Sequence, residues 1–191
     1  GRGCPLTCAS CHLPAVGAMK FRIRSPQHIF DEMAECEDKW GISDFGFYDH
    51  FGIFSSGPER AVELCELILA SGRRWTWTVT FWSYDFTSEL LRLMKRAGCW
   101  RIDTVLISGV DKNLRTATMG SPLTVDQCRA GVDRIHKAGI EVAARLSLGI
   151  EGETVEEARE TIAYACSLPL EWAFFTPVNP VFGSRLWRQL N

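Results

Sequence analysis

From Ser25 onward, apolar positions alternate between the spacing of a helix and that of a strand. Ser25-Pro26 places an N-cap before a proline at the first helical position. Ile29, Met33, Cys36 and Trp40 follow at helical intervals, and Gly41 supplies the stop. Ile42 to Tyr48 is a short apolar run that reads as a strand. Ser56-Gly57-Pro58 then opens a second helix with Val62, Cys65 and Leu69 on one face and a stop at Gly72. Trp75 to Thr80 is rich in strand-favouring residues, and Leu90, Leu91 and Met94 mark a third helix ending at Gly98. Ile102 to Ile107 is the next strand, followed by a polar loop holding Gly109 and Gly120. Thr124-Val125-Asp126-Gln127 is a capping box whose helix ends at Gly139. Ile140 to Leu148 is a strand broken by Gly149-Ile150-Glu151-Gly152. Thr154-Val155-Glu156-Glu157 is a second capping box, its helix ends before Pro169, and Trp172 to Thr176 is the last strand.

The regular spacing of these stops is that of successive strand–helix units, which predicts a parallel sheet with helices packed outside it. Periodicity leaves both an open doubly wound sheet and a barrel available, and either places reactive groups at the C-terminal ends of strands. No strand precedes Cys4, so the first element of such a fold is expected to be missing. Residues 1–191 then read as one core domain cut from a longer protein, short at its N-terminus and at its C-terminus.

Composition adds exclusions. The 191 residues are 46% hydrophobic and 23% charged, with a net charge of −2, which fits a globular domain and indicates no polyanion-binding face. No apolar run reaches the length of a membrane span, and the N-terminus lacks a signal-peptide core. The chain reads as cytoplasmic, with no membrane and no nucleic acid among its partners.

The cysteines carry the candidate chemistry. Of eight, Cys36, Cys65, Cys99, Cys128 and Cys166 stand singly and read as small apolar residues of helices or strand margins. Cys4, Cys8 and Cys11 lie together in Gly1-Arg2-Gly3-Cys4-Pro5-Leu6-Thr7-Cys8-Ala9-Ser10-Cys11. Three thiolates on one short loop suit an iron–sulfur cluster with one iron left open. Structural zinc is the other metal reading, with a fourth ligand from His12, His50 or a distant cysteine.

The Cys4-x-x-x-Cys8-x-x-Cys11 loop resembles the signature of the radical S-adenosylmethionine (SAM) superfamily. Arg22-Ile23-Arg24-Ser25-Pro26, Glu89-Leu90-Leu91, Met94-Lys95-Arg96-Ala97-Gly98-Cys99 and Leu148-Gly149-Ile150-Glu151-Gly152-Glu153-Thr154 are similar to its cobalamin-associated branch. The resemblance implies an α/β fold, a partial (β/α)6 TIM-like barrel of parallel strands with outer helices. It implies a 4Fe-4S cluster on Cys4, Cys8 and Cys11, with SAM on the fourth iron. Reductive cleavage of SAM would give a 5′-deoxyadenosyl radical that abstracts hydrogen from a substrate. It further implies an electron donor of flavodoxin or ferredoxin type. Cobalamin carried by an upstream domain would make the reaction a methylation.

By the same resemblance Asp49 sits near the methionine amino end, Ser108 in the region of the ribose, and Arg145 by the carboxylate or ribose. Ile150 and Gly152 line the adenine with their backbone. Plainer readings exist for each: a solvated turn at Asp49-His50, a turn at Ser108-Gly109, a buried ion pair at Arg145. Glu151 and Glu153 suit a helix start on electrostatic grounds alone. The chain departs from the family pattern at Ser10, usually aromatic, and at Ile107, usually glutamate. The same holds for Thr80-Phe81-Trp82-Ser83-Tyr84, where a polar stretch with arginine is usual. Phe81, Trp82 and Tyr84 are candidates for lining a flat or apolar substrate pocket. Two other readings stand beside this one: a zinc-containing barrel hydrolase or lyase, and a diverged, non-catalytic cluster-binding barrel.

Overall fold

The computed structural model describes residues 2–4, 6, 8–13, 15–17, 20–48, 57–81, 86–118 and 123–191. Five strands form one parallel sheet: β1 (Asp44–Phe47), β2 (Thr76–Phe81), β3 (Cys99–Ile107), β4 (Glu141–Leu148) and β5 (Trp172–Pro177). Their order in the sheet is their order in the chain. A doubly wound sheet reverses direction at a switch point, so this order selects the barrel-type architecture over the open alternative. Helices α1 (Pro26–Trp40), α2 (Pro58–Ser71), α3 (Ser88–Arg96), α4 (Asp111–Thr118), α5 (Val125–Lys137), α6 (Val155–Cys166) and α7 (Arg185–Leu190) complete the described elements.

The helix signals of the sequence act as expected. The Ser25 hydroxyl accepts from the His28 amide, Pro26 fills the first turn, and Gly41 ends α1 at φ 68°. Thr124 with Gln127, and Thr154 with Glu157, close reciprocal capping boxes on α5 and α6. Two helices lie outside the sequence expectation. The segment expected as a polar loop contains α4, whose sequence Asp-Lys-Asn-Leu-Arg-Thr-Ala-Thr has no apolar stripe and buries only Asn113 and Leu114. The six-residue α7 is likewise too short for periodicity, although Ser184 caps it through the Trp187 amide.

Side chains alternate across each strand, so the sheet has two faces of different chemistry. The outer face carries Trp77, Val79, Ile102, Leu106, Val142, Ala144 and Leu146, buried against Leu64, Ile68, Leu91, Met94, Val132 and Ile135 of the helices. Trp77 also donates through its indole N–H to the Ala97 carbonyl at 2.8 Å. The inner face is more polar, with Thr76, Thr78 and Thr80 on β2, Arg101, Asp103, Val105 and Ile107 on β3, and Ala143, Arg145 and Ser147 on β4. β5 is an edge strand exposed on both faces. Of the single cysteines, Cys65, Cys99 and Cys128 are buried, Cys36 is half-buried and Cys166 is exposed, against its expected apolar position. No helix is long and apolar enough to cross a membrane among the described residues.

Candidate functional site

The cysteine loop lies over the C-terminal ends of β3 and β4, held by backbone bonds on two sides. The Ala9 amide donates to the Ala117 carbonyl at the end of α4, and the Ala9 carbonyl accepts from the Leu186 amide of α7. The loop's own turn is closed by the Cys11 amide on the Cys8 carbonyl at 3.1 Å. An antiparallel bridge between Arg2 and Arg22 ties its N-terminal side to the strap before α1. The two helices without a sequence signal are thus the ones that fix this loop.

None of the three cysteines is in a disulfide with another described residue. Cys4 is buried, and Cys8 and Cys11 are half-buried. Burial, and then the neighbouring Cys11 and Cys4, push the Cys8 thiol up to about 11. Among the described residues no three such groups converge closely enough to hold a single ion. Three cysteine thiols on one short loop suit a polynuclear centre, which is bound at separate metal atoms. The donor set therefore fits the cluster.

The thiol shift has a consequence for the metal-free protein. Above the ordinary thiol value of 9.0, unfolded chains release a proton that native Cys8 keeps until about 11. Cys65 behaves alike, pushed up to about 12 first by burial and then by Glu66. The native state then binds more protons than the unfolded state, and stability falls as pH rises through this window. Urea midpoints for the cluster-free protein are expected to drop steadily from pH 9 to pH 11, with a shallower drop in Cys8→Ala.

Beneath the loop is a cavity of about 140 Å³. Cys8 and Ser10 of the loop, Ile107 of β3, Ser147 of β4, and Ile150 and Glu151 after β4 face it, with Thr116 and Ala117 of α4 and Leu186 of α7 closing the sides. Ile150 is therefore brought together with Cys8. Arg145 stands on the same inner face, two residues before Ser147. Its guanidinium lies over the Phe174 ring at 5.8 Å, and it is exposed rather than in the buried ion pair set out as its plainer reading. Ser108 is different. Its hydroxyl is fully enclosed, 3.0 Å from the Thr161 hydroxyl of α6, and accepts from the Val110 amide. It supports the wall behind the cavity and does not open onto it. Asp49, His50, Trp82 and Tyr84 lie outside the described residues.

The loop after β4 is organised by a residue that the sequence suggested only as a helix-start carboxylate. Glu153 turns back, so that its Oε2 accepts from the amides of Gly149 and Ile150 while its Oε1 accepts from Asn113 Nδ2 at 3.3 Å. Lys112 donates to the Gly152 carbonyl at 3.1 Å and pairs with Glu157, which holds the Glu157 carboxyl below its usual range. The N-terminal turn of α4 thus clamps the segment Gly149–Thr154. Glu153→Ala strands two amides and is expected to cost roughly 1–3 kcal/mol. Urea denaturation would measure that loss, and hydrogen exchange at Ile150 would report the loosened loop.

Deeper in the barrel, Asp103 is buried beside Arg101, whose Nε lies 3.0 Å from its Oδ1 without the alignment of a hydrogen bond. Thr80 pairs in register with Asp103 and is buried, and its hydroxyl has no hydrogen-bond partner among the described residues. Together Thr80, Arg101 and Asp103 make a largely buried polar layer, in which Arg101 Nη2 also donates to Asp103 Oδ2 at 3.4 Å.

The Radical SAM superfamily model matches residues 1–165. The chain belongs to the radical SAM superfamily. Its cofactors are those of the family, a 4Fe-4S cluster and SAM. An uncharacterised methyltransferase of Pyrococcus horikoshii is 27% identical over 186 residues, covering 97% of this chain and 40% of that protein. The cytidylyl-2-hydroxyethylphosphonate methyltransferase of Streptomyces wedmorensis is 26% identical over 196 residues, covering 98% of this chain and 36% of that protein. The chain thus spans two fifths or less of these relatives. Among solved structures, the radical SAM methyltransferase TsrM from Kitasatospora setae, with cobalamin and a [4Fe-4S] cluster bound, superposes with a TM-score of 0.84. It is 20% identical and matches 97% of this chain and 37% of its own, and the likeness confirms the partial barrel. The reading as a zinc-containing barrel hydrolase or lyase is displaced by the family match.

Proposed function

We propose that this radical SAM domain cleaves SAM reductively and forms the radical-generating part of a cobalamin-linked methyltransferase. The observation that carries the reading is the clamped three-cysteine loop opening onto the cavity that Ile107, Ser147 and Ile150 line. Cys4, Cys8 and Cys11 hold the cluster. When bound, the cluster supplies the electron that splits the sulfonium C–S bond of SAM into methionine and a 5′-deoxyadenosyl radical, which takes a hydrogen atom from a substrate C–H bond.

The chain's own residues bind, orient and exclude water. The loop clamped by Glu153 presents the backbone of Ile150 and Gly152 to the adenine. Arg145 is free of carboxylate partners among the described residues and meets the carboxylate or ribose of SAM. Ser108 acts through Thr161, setting the position of the β3 terminus rather than touching the ribose. Asp49 keeps its proposed place near the methionine amino group. Thr80, Arg101 and Asp103 form the polar floor on which substrate rests.

Methylation is supported by two of the curated relatives, both methyltransferases, and by their greater length, which leaves room for a cobalamin-carrying region. The electron comes from a flavodoxin- or ferredoxin-type donor. The test is to incubate anaerobically reconstituted protein with dithionite and SAM and analyse products by mass spectrometry. Appearance of 5′-deoxyadenosine supports the reading, and intact SAM after many cluster equivalents of reductant contradicts it.

A further inference from the structure

Among the described residues, every backbone at positive φ is a glycine except Ile107, at φ 65°. A β-branched side chain is among the least tolerated in that region, because its Cβ substituents crowd the following carbonyl. The distortion is local and well defined. The pairing of β3 with β4 slips register between Val105 and Ile107. The Ser108 amide then donates to the Leu106 carbonyl at 2.8 Å, closing a three-residue turn centred on Ile107. Such outliers persist only where surrounding structure over-determines them, and they concentrate at ligand sites.

A glycine would make this turn without strain. One is present two residues on, but it is needed there for close packing, since a Cβ at Gly109 would stand 2.6 Å from the Cβ of Tyr164. The isoleucine at 107 is therefore not explained by the backbone. Its side chain explains it. Ile107 is only 6% exposed and lines the cavity together with Cys8, Ser147 and Ile150.

We infer that Ile107 is a ligand-contact residue, held in a strained turn so that its side chain packs against SAM beside the cluster and sets the affinity for it. The inference rests on the proposed cleavage function, in that it takes SAM as the occupant of this cavity. The turn holds a branched apolar group at the cavity wall, and that wall keeps water from the ligand.

The test uses the cluster-reconstituted protein with Ile107→Gly, Ile107→Ala and Ile107→Val, reading thermal melting and equilibrium dialysis of radiolabelled SAM. At an ordinary strand position glycine is the less stable of the small pair. Here Ile107→Gly is expected to melt about 2–4 °C above Ile107→Ala, because only glycine relieves the turn. Both are expected to weaken SAM binding by about tenfold or more, and Ile107→Val by about fourfold, following the apolar contact removed. A residue with a merely structural role would move the melting temperature and leave SAM binding unchanged. Melting of Ile107→Gly below Ile107→Ala would overturn the strain, and wild-type affinity in the glycine and alanine variants would overturn the contact. Failure of the wild-type protein itself to bind SAM would instead refute the function on which the inference stands, and the inference with it.

Discussion

Cys4→Ala, Cys8→Ala and Cys11→Ala are each expected to leave the protein without its cluster after anaerobic reconstitution. The loop is pinned by backbone bonds at Ala9, so removing a sulfur leaves the loop in place but takes away one of three metal bonds. A cubane bound at only two irons is no longer enclosed by the protein, and thiolate ligation is what holds it. Loss should be nearly complete in iron and sulfide content and in the visible charge-transfer absorbance. Cys36→Ala and Cys166→Ala, at half-buried and exposed helical positions, should retain the full complement. Without the cluster the fold itself should change little, because the backbone bonds of Ala9 to Ala117 and Leu186 do not involve the sulfurs. A Cys8→Ala protein with intact cluster would contradict the ligand assignment.

Gly109→Ala is expected to produce the largest loss of stability among substitutions near the site. Its Cβ would meet Tyr164 Cβ at 2.6 Å, Tyr164 Cγ at 2.9 Å and the Thr161 backbone at 3.1 Å. Neither Tyr164 nor Thr161 can simply turn aside. Tyr164 is buried and donates through its hydroxyl to the Val125 carbonyl, while Thr161 accepts from the Gly109 amide and contacts Ser108. The added methyl therefore forces α6 away from the end of β3. Overpacking of this kind costs about 2–3 kcal/mol, or roughly 5–10 °C in melting temperature for a chain of this size. Because α6 begins directly after the loop clamped by Glu153, SAM affinity should fall together with stability. A Gly109→Ala protein that melts like wild type would show that α6 and β3 can separate at little cost.

The elements legible in the sequence are those with an unambiguous local signal. Five strands and the five longer helices follow from apolar period, and Ser25, Thr124, Thr154 and the glycine stops mark their ends. Helix α4 escapes because polar residues fill nearly every turn and its stability comes from contacts with the loop after β4, which no local pattern encodes. The choice between barrel and open sheet is likewise a matter of which strands pair, a long-range property.

At the site, the cysteine triplet is visible because its members are close together in sequence, and Ile150 lies among the residues that line the cavity. Ser108 shows the opposite limit. Its position at a strand end is legible, but its hydroxyl is engaged by Thr161, 53 residues later, and periodicity carries no trace of such a partner. Glu153 illustrates the same point from the other side, since a carboxylate near a helix start satisfies the dipole argument whichever way it turns. Ile107 is marked in the sequence only as a departure from a pattern, and its positive φ has no signature in composition at all.

The central claim, that Cys4, Cys8 and Cys11 hold a cluster with an iron open to SAM, is tested most directly by electron paramagnetic resonance. The sample is anaerobically reconstituted, dithionite-reduced protein, measured with and without SAM. A reduced 4Fe-4S signal that shifts when SAM is added is the result expected. A signal indifferent to SAM would contradict ligation at the open iron and leave a cluster-binding barrel without its cofactor. The absence of any reduced iron–sulfur signal would contradict the cluster itself.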